Sequence, residues 1–484
     1  MAYRHGVYVS EIPTAIKLPV NTEGCLPVVI GTAPLHLASD AAAPNTPVLC
    51  SSYAEAVQAF GFHNDFSKYS ISEVIYMLFA AYGYGPLVVI NVLDPSVHNV
   101  KKTNTMVSLT EHKAVITDPV MLSTLVVKEN TGTTTLTENV DYTAAYDTDG
   151  NLVITVISEA HADDIQISVS YTALDPGAVK KSDIIGGVDV TTGKNKGLEC
   201  VNSVFTKLGM VPGMILAPGF SSDPEVAAVM AAKAESINGL FYAVALIDGD
   251  TTTVRKYSDV KAWKDKNNVT QRSQWCLWPM AKFGDRLVHL STVAMGTQVK
   301  LTSQHDDIPY ESPSNKTAQI TGLCLSDGTE VEMSVESANY LNGNGVVTAL
   351  NWIGGWKLWG DETAVYPANT DPKDRFIPVR CMFNWNRQTF IRTHFNEVDG
   401  PLRPAHVESI VDSENIRING LVAAGVIIAG YTEFRDADNP ATSIVAGIAK
   451  FHQVFIPPVP NRVIDMDMEF DSELYKQILT GGNA

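Results

Sequence analysis

Apolar residues along the chain occur either as unbroken runs or in strict alternation with polar ones, and the switch between the two divides it into segments. LPVVIGTA (26–33) and PLVVINVL (86–93) are unbroken runs of strand length, as strands buried on both faces require. Between them, helices are predicted from about Tyr53 and from about Ile71. Ser52 with Glu55 and Ser70 with Glu73 have the capping-box spacing that satisfies orphan N–H groups at a helix start. The pattern returns at 212–247, where GMILAPG reads as a buried strand, SDPEVAAVMAAKAESING as a helix and LFYAVALID as a second strand. Ser222 with Glu225 supplies a further box, Pro224 sits in the first turn and Gly239 stops the helix. Strand, capped helix and strand predict a βαβ unit with parallel strands.

Residues 101–176 differ. Thr and Val dominate, and VVKENTGTTTLT and YDTDGNLVITV place Thr131-Gly132 and Asp149-Gly150 between β-rich runs, as hairpin turns require. A small all-β insertion is expected there. Beyond about residue 356 a helical pattern covers 377–398 and another runs from about Pro404 to Asn419, divided by GPLRP (400–404). VIIAGYTEF (426–434) and SIVAGIAKFHQVFI (443–456) predict two antiparallel strands. No period of 20 to 50 residues is present, which argues against a solenoid.

Alternation governs both ends. After Pro457, Pro458 and Pro460, which favour polyproline backbone and cannot donate to a ladder, Asp465, Asp467, Glu469 and Asp471 stand at every second position. In a strand these face one way, while Ile464, Met466, Met468 and Phe470, with Val463 leading in, form the apolar side. Four carboxylates spread along an extended strand do not converge on one cation, so an amphipathic strand is the better reading. Such a strand has to join a sheet, and the proline hinge makes a neighbouring molecule's sheet a destination. At the other end Gly6, Val7, Tyr8, Val9, Ser10, Glu11 and Ile12 alternate in the same way before Pro13.

Composition narrows the chemistry. The 484 residues, 45% apolar, are enough for two to four domains, and a net charge of −18 argues against a phosphate-backbone binder. Cys25, Cys50, Cys200, Cys276, Cys324 and Cys381 lie far apart without a CxxC pair, so buried reduced thiols are expected rather than zinc knuckles or a disulfide framework. The first residues show no signal-peptide pattern, and the longest apolar run is about half the ~20 residues that span a bilayer, so no membrane insertion is expected.

Catalytic motifs do not emerge. GVDVTTGKNKG (187–197) misses the phosphate-loop spacing and has Asn195 where Ser or Thr should ligate magnesium. GFSSD (219–223) lacks the final glycine of a nucleophile elbow, leaving Ser221 and Ser222 as loop and cap. DTDG (147–150) is a hairpin turn rather than a calcium loop, and the eleven histidines, His289, His305 and His452 among them, form no HExxH. No catalytic, cofactor-binding or metal residue is assigned, and no cofactor.

Taken in order, HGVYVSEI (5–12), LPVVIGTAP (26–34), WP (278–279), SPSN (312–315), GWKLWGDET (355–363) and IPPVP (456–460) resemble the contractile tail sheath family of phages and phage-like particles. Ser314 stands where that family more often has alanine. The resemblance implies a structural subunit, not an enzyme, polymerised as stacked hexameric rings around a tail tube and linked by exchanged terminal strands. Its partners would be itself, the tube protein, and the baseplate and tail terminator proteins, with no direct nucleic-acid contact. It would reside in a virion tail or phage-like particle assembled in a bacterial cytoplasm.

The expected fold class is α/β and α+β multidomain: a doubly wound α/β body, an all-β insertion, and a mixed C-terminal domain with exchanged terminal strands. The expected division is a strand arm (1–20), a discontinuous body (21–100 and 177–355), a β-sandwich insertion (101–176), a C-terminal sheath domain (356–460) and a second arm (461–484). Arg387 and Arg392, with Arg380 nearby, lie on or near the long predicted helix; the first two are the tube-contact candidates, against a reading as an ordinary solvated helix surface. The rival functions are a hydrolase with a doubly wound α/β body and a surface adhesin built from β-sandwiches.

Overall fold

A computed structural model describes residues 24–161 and 164–481. The N-terminal arm, Gly6 to Ile12, lies outside the described residues. Within them the chain is a mixed α/β molecule built from several sheets.

The unbroken apolar runs form the centre of an eight-stranded sheet. Its strands are β1 (Pro27–Gly31), β2 (Val48–Cys50), β3 (Leu87–Asn91), β4 (Met214–Leu216), β5 (Val244–Asp248), β6 (Gln274–Leu277), β7 (Val346–Trp352) and β8 (Gly355–Trp359). They lie in the order β8-β7-β6-β5-β4-β1-β3-β2. Every pairing from β7 to β3 is parallel, and β2 and β8 close the two edges antiparallel. Full burial of β1, β3, β4, β5 and β6 explains the missing alternation: both faces are covered, so neither is a solvent face that would call for polar residues at every second position.

The helix caps follow local chemistry more closely than motif spacing. Helix α1 (Tyr53–Phe60) is capped by Ser52, whose Oγ accepts from the Glu55 N–H, as its sequence predicts. Helix α2 (Pro224–Glu235) is capped by Asp223, not Ser222, because Pro224 occupies the first helical position and fixes the cap one residue before it. The Ser70–Glu73 box does not form either: Tyr69 precedes the helix Ser70–Ile75, and Glu73 turns inward to His289.

Between β3 and β4 the chain leaves the sheet to form two three-stranded antiparallel sheets, Asn99–Ser108 with Gln166–Leu174 and Val126–Lys128, and Lys113–Ile116 with Leu152–Val156 and Tyr142–Tyr146. They enclose a core of their own that includes Ile154, Ile167 and Val169. The Asp149-Gly150 turn lies in the hairpin as expected, with Gly150 at a φ of 81°.

C-terminal to β8, helix α3 (Ile377–His394) and helix α4 (Pro404–Ala423) pack with a hairpin, β9 (Ala429–Phe434) and β10 (Phe451–Ile456). The 443–456 segment is not one strand. Pro440 opens a short helix, Ala441–Val445, and the ladder begins only at Phe451. Nor is α3 a solvated surface helix. Ile377 and Cys381 belong to the core of the main sheet, while Met382 and Trp385 belong to the separate core beneath the hairpin, so α3 ties the two together.

Candidate functional site

Pro457 is buried, Pro458 and Pro460 are half-buried, and from residue 461 to 481 every side chain is exposed. The prolines end β10, and the chain departs from the body in an extended conformation that pairs with no other described strand. Both faces of the expected strand lie in solvent: Val463 is 61% exposed, Ile464 83%, Met466 75%, Met468 85% and Phe470 78%. Leaving five large apolar side chains in water costs roughly 1.5–3 kcal/mol each relative to burial, so this segment is built to be covered.

One residue ties the arm's root to the body. Arg462 donates to the Glu362 carboxylate at 3.0 Å across a sequence separation of 100. Glu362 is 2% exposed and is also held by Arg375, whose Nε donates to it at 2.9 Å. The Arg375 guanidinium lies 4.3 Å from the centre of the Tyr366 ring and 4.6 Å from that of Phe376. Burial, and then the neighbouring Glu362 charge, push the Asp361 carboxyl up to about 6.

Two of the sequence motifs thereby meet in space, since Glu362 lies within GWKLWGDET and Arg462 stands two residues after IPPVP. A third supports them: the Ser314 hydroxyl accepts from the Gly360 N–H at 3.0 Å, and the Asn315 N–H donates to the Leu358 carbonyl at 2.6 Å. Ser314 therefore holds the end of β8 that leads to Glu362.

The hairpin that the arm leaves is only two strands wide. One face packs on the body, where Phe455 meets Phe383 edge to face and the Asn386 amide donates to Gln453 at 2.5 Å. Beneath it, Arg417 bridges Asn386 and Glu414 at 2.6 Å each, and His394 reaches Glu414 at 3.2 Å. Burial opposes ionisation of Glu414, but His394 and Arg417 outweigh it and hold the carboxyl down at about 2. A cleft of about 510 Å³ opens between α3, the loop before β5 and the hairpin.

Arg387 lies in that cleft with its guanidinium 4.5 Å from the Tyr242 ring centre, and Arg392 is half-buried. Five residues apart on a helix, the two stand about 140° from one another around its axis and do not form one patch. Arg380 is buried and reaches Asp374 at 3.3 Å.

A second polar cluster sits where the order of strands reverses beside β1, the position at which open α/β sheets place ligands. Ser221 is 1% exposed, and its hydroxyl donates to Asp248 at 3.1 Å. Asp248 also accepts from the Ser291 N–H at 2.9 Å and from its hydroxyl at 2.6 Å. His289 pairs with Glu73 at 2.8 Å rather than with Ser221. Burial opposes a charged imidazolium, but Glu73 and then Asp248 hold His289 up at about 9. Ser221 thus has a carboxylate partner and no imidazole base, and the hydroxyl does not open to solvent. Among the described residues no group of three or more His, Cys, Asp or Glu side chains is placed to hold a metal ion, and no helix is long and apolar enough to cross a membrane.

Comparison with known proteins points to the same family as the motifs. No protein-family model matches the chain. The tail sheath protein of Burkholderia phage BcepMu is 25% identical over 494 aligned positions that cover 99% of each chain. The chain is similar in sequence to curated tail sheath proteins. The major tail sheath protein of Serratia phage KSP20 is also 25% identical, over 64% of this chain and 77% of its own. Two solved assemblies share the chain's fold. The sheath complex of the extracellular contractile injection system PVC, in the contracted state, has a TM-score of 0.58 at 13% identity and covers 98% of this chain and 99% of its own. The contracted helical sheath of the anti-feeding prophage has a TM-score of 0.57 at 13% identity, covering 96% and 99%.

The sequence marks the hinge prolines and the alternating arm residues by local pattern alone, and three features carry no such mark or are missed. Glu362 and Arg462 are too far apart in sequence for any local pattern to join them. The helix Ser472–Leu479, which follows the arm strand, is short, although Asp471 as its cap and apolar residues at 474, 475, 478 and 479 mark it. The cleft beneath the hairpin has no sequence signature at all.

Proposed function

We propose that this chain is a structural, non-enzymatic subunit of a contractile tail sheath, which polymerises as stacked hexameric rings around a tail tube and contracts to drive the tube through a target envelope. The observation that carries the reading is the arm at 461–471: extended, amphipathic in its residue order and exposed on both faces. It follows a two-stranded hairpin whose β9 edge is covered by α4, where Asn415 bonds the Thr432 N–H and C=O, and whose β10 edge pairs with no other described strand. A hairpin of two strands gains stability by accepting a third. Added to a neighbour's hairpin, Val463, Ile464, Met466, Met468 and Phe470 bury apolar surface, and the backbone groups of both partners are satisfied.

In this reading the N-terminal arm does the same on another neighbour. The hinge of Pro457, Pro458 and Pro460 lets the bodies move while the strands stay paired. Contraction then exchanges one packing of bodies for another of lower free energy, with no catalytic step and a barrier released at the baseplate. The body, a doubly wound sheet spanning 21–100 and 177–355, and the sheath domain at 356–460 move together, tied through β8 and α3, and carry the insertion at 101–176 with them. Assembly takes place in the bacterial cytoplasm, with the tube, baseplate and terminator proteins as partners besides the chain itself.

Negative-stain microscopy of the purified chain tests this. Rods or rings are expected from the full chain, and a folded but unpolymerised body from chains lacking 1–12 or 461–484. Normal rods from both truncated chains contradict strand exchange.

A further inference from the structure

We infer that the terminal helix α5 (Ser472–Leu479) of one copy docks in the cleft between α3 and the hairpin of a second copy, as a latch beyond the exchanged strand. The inference rests on the strand-exchange reading and adds a second contact to it.

Helix α5 is eight residues long and begins at Asp471, whose carboxylate accepts from the N–H groups of Glu473 and Leu474 at 2.9 Å each. Leu474, Tyr475, Ile478 and Leu479 share one face and are 44%, 56%, 63% and 70% exposed. A helix this short is marginal in water without tertiary packing, so its apolar face implies a surface to meet. Among the described residues its ring contact, Phe470 with Tyr475 at 5.8 Å, comes from its own arm.

The cleft offers that surface. Leu240, Tyr242, Phe390, Ile391 and Phe451 give it apolar walls, and Arg387 provides a cation. Leu240 is 43% exposed at its rim. Its volume of about 510 Å³ accommodates the side chains along one face of a short helix. Charge is complementary in sign: the segment that brings the helix carries Asp465, Asp467, Glu469 and Glu473, and the cleft presents Arg387.

Geometry assigns the helix to another copy. The chain's own helix leaves its own cleft empty, with every residue from 461 to 481 exposed. The cleft lies against the same hairpin, at Thr432, Phe451 and Gln453, that the arm strand would extend. Residues 461–471, at about 3.3 Å per residue, reach about 36 Å from the hinge, which carries the helix to an adjoining subunit.

Cysteine cross-linking tests this in the full chain, because all six native cysteines are buried. Leu240→Cys with Ile478→Cys, oxidised with diamide in assembled rods, should give a ladder of covalently linked subunits on a non-reducing gel. Unassembled subunits should stay monomeric without the new disulfide. An intramolecular disulfide in both states overturns the inference, since the helix would then occupy its own cleft. Rods that give no ladder overturn it as well.

Maleimide labelling of Leu240→Cys alone covers the case in which the double variant fails to assemble. Labelling should be about ten-fold slower in rods than in free subunits, and equal rates overturn the docking. Removing 472–484 separates the two claims, because it keeps the strand residues. Rods of that chain with Leu240→Cys fully reactive are expected, whereas rods that persist without any of 461–484 defeat strand exchange itself.

Discussion

Glu362 holds two arginines, Arg375 within the body and Arg462 at the root of the arm, and it is almost wholly buried while Arg462 is half in water. The two partners should therefore differ in their effect. Glu362→Ala leaves Arg375 without its carboxylate and should cost about 3 kcal/mol of stability in chemical denaturation. Arg462→Ala removes a screened pair, and its cost should stay under about 1 kcal/mol.

The adjacent Asp361 gives this corner a pH signature. Its carboxyl, pushed up to about 6 by burial and then by Glu362, binds a proton more readily in the folded than in the unfolded chain between about pH 4 and pH 6. Its contribution is therefore full below about pH 4 and is lost as the pH rises through about 6. Relative to Asp361→Asn, the native chain should lose up to about 3 kcal/mol across that window. His289 acts in a different range. Held up at about 9 by Glu73 and Asp248 against burial, it stabilises fully below about pH 6.5, and this contribution disappears as the pH rises through about 9. A native chain without alkaline loss relative to Glu73→Gln would contradict that pairing.

At the scale of elements, α3 is the piece on which the C-terminal region depends. Trp385 packs in the core beneath the hairpin while Ile377 and Cys381 pack against the main sheet, so Trp385→Ala should cost about 3–5 kcal/mol and loosen the hairpin and the central sheet together. Exchange protection lost only in the hairpin would argue that the two cores fold separately. Elements were legible where one local rule decided them. Buried runs such as PVVIG and LVVIN have no competing reading, and the antiparallel partnership of β9 and β10 follows from two apolar runs around a polar loop. The reading of 443–456 as one strand failed because β-branched Ile444 and Val445 outweighed Pro440, which in fact starts a helix there. The cap at Asp223 was readable from Pro224, a signal that the Ser-x-x-Glu spacing obscured.

At the scale of the whole molecule, contacts between distant segments are not legible in the sequence. Alternation after a proline cluster marks a strand that its own body does not pair, whereas the Arg462–Glu362 contact and the cleft under the hairpin arise only when remote segments pack. The insertion behaves as an appendage: Asn99 and Leu174 are partners in one antiparallel ladder, so its two connections lie side by side. Replacing residues 100–173 by a short Gly-Ser turn should leave a folded chain that still forms rods, as judged by circular dichroism and microscopy.

Everything mechanical in this account depends on where residues 463–470 lie once subunits have assembled. A helical reconstruction of the rods by electron microscopy places them directly. The account predicts that they hydrogen-bond along the hairpin of an adjacent subunit, with Ile464, Met466, Met468 and Phe470 buried between copies. Rods in which this segment pairs within its own subunit, or stays free in solvent, would contradict it.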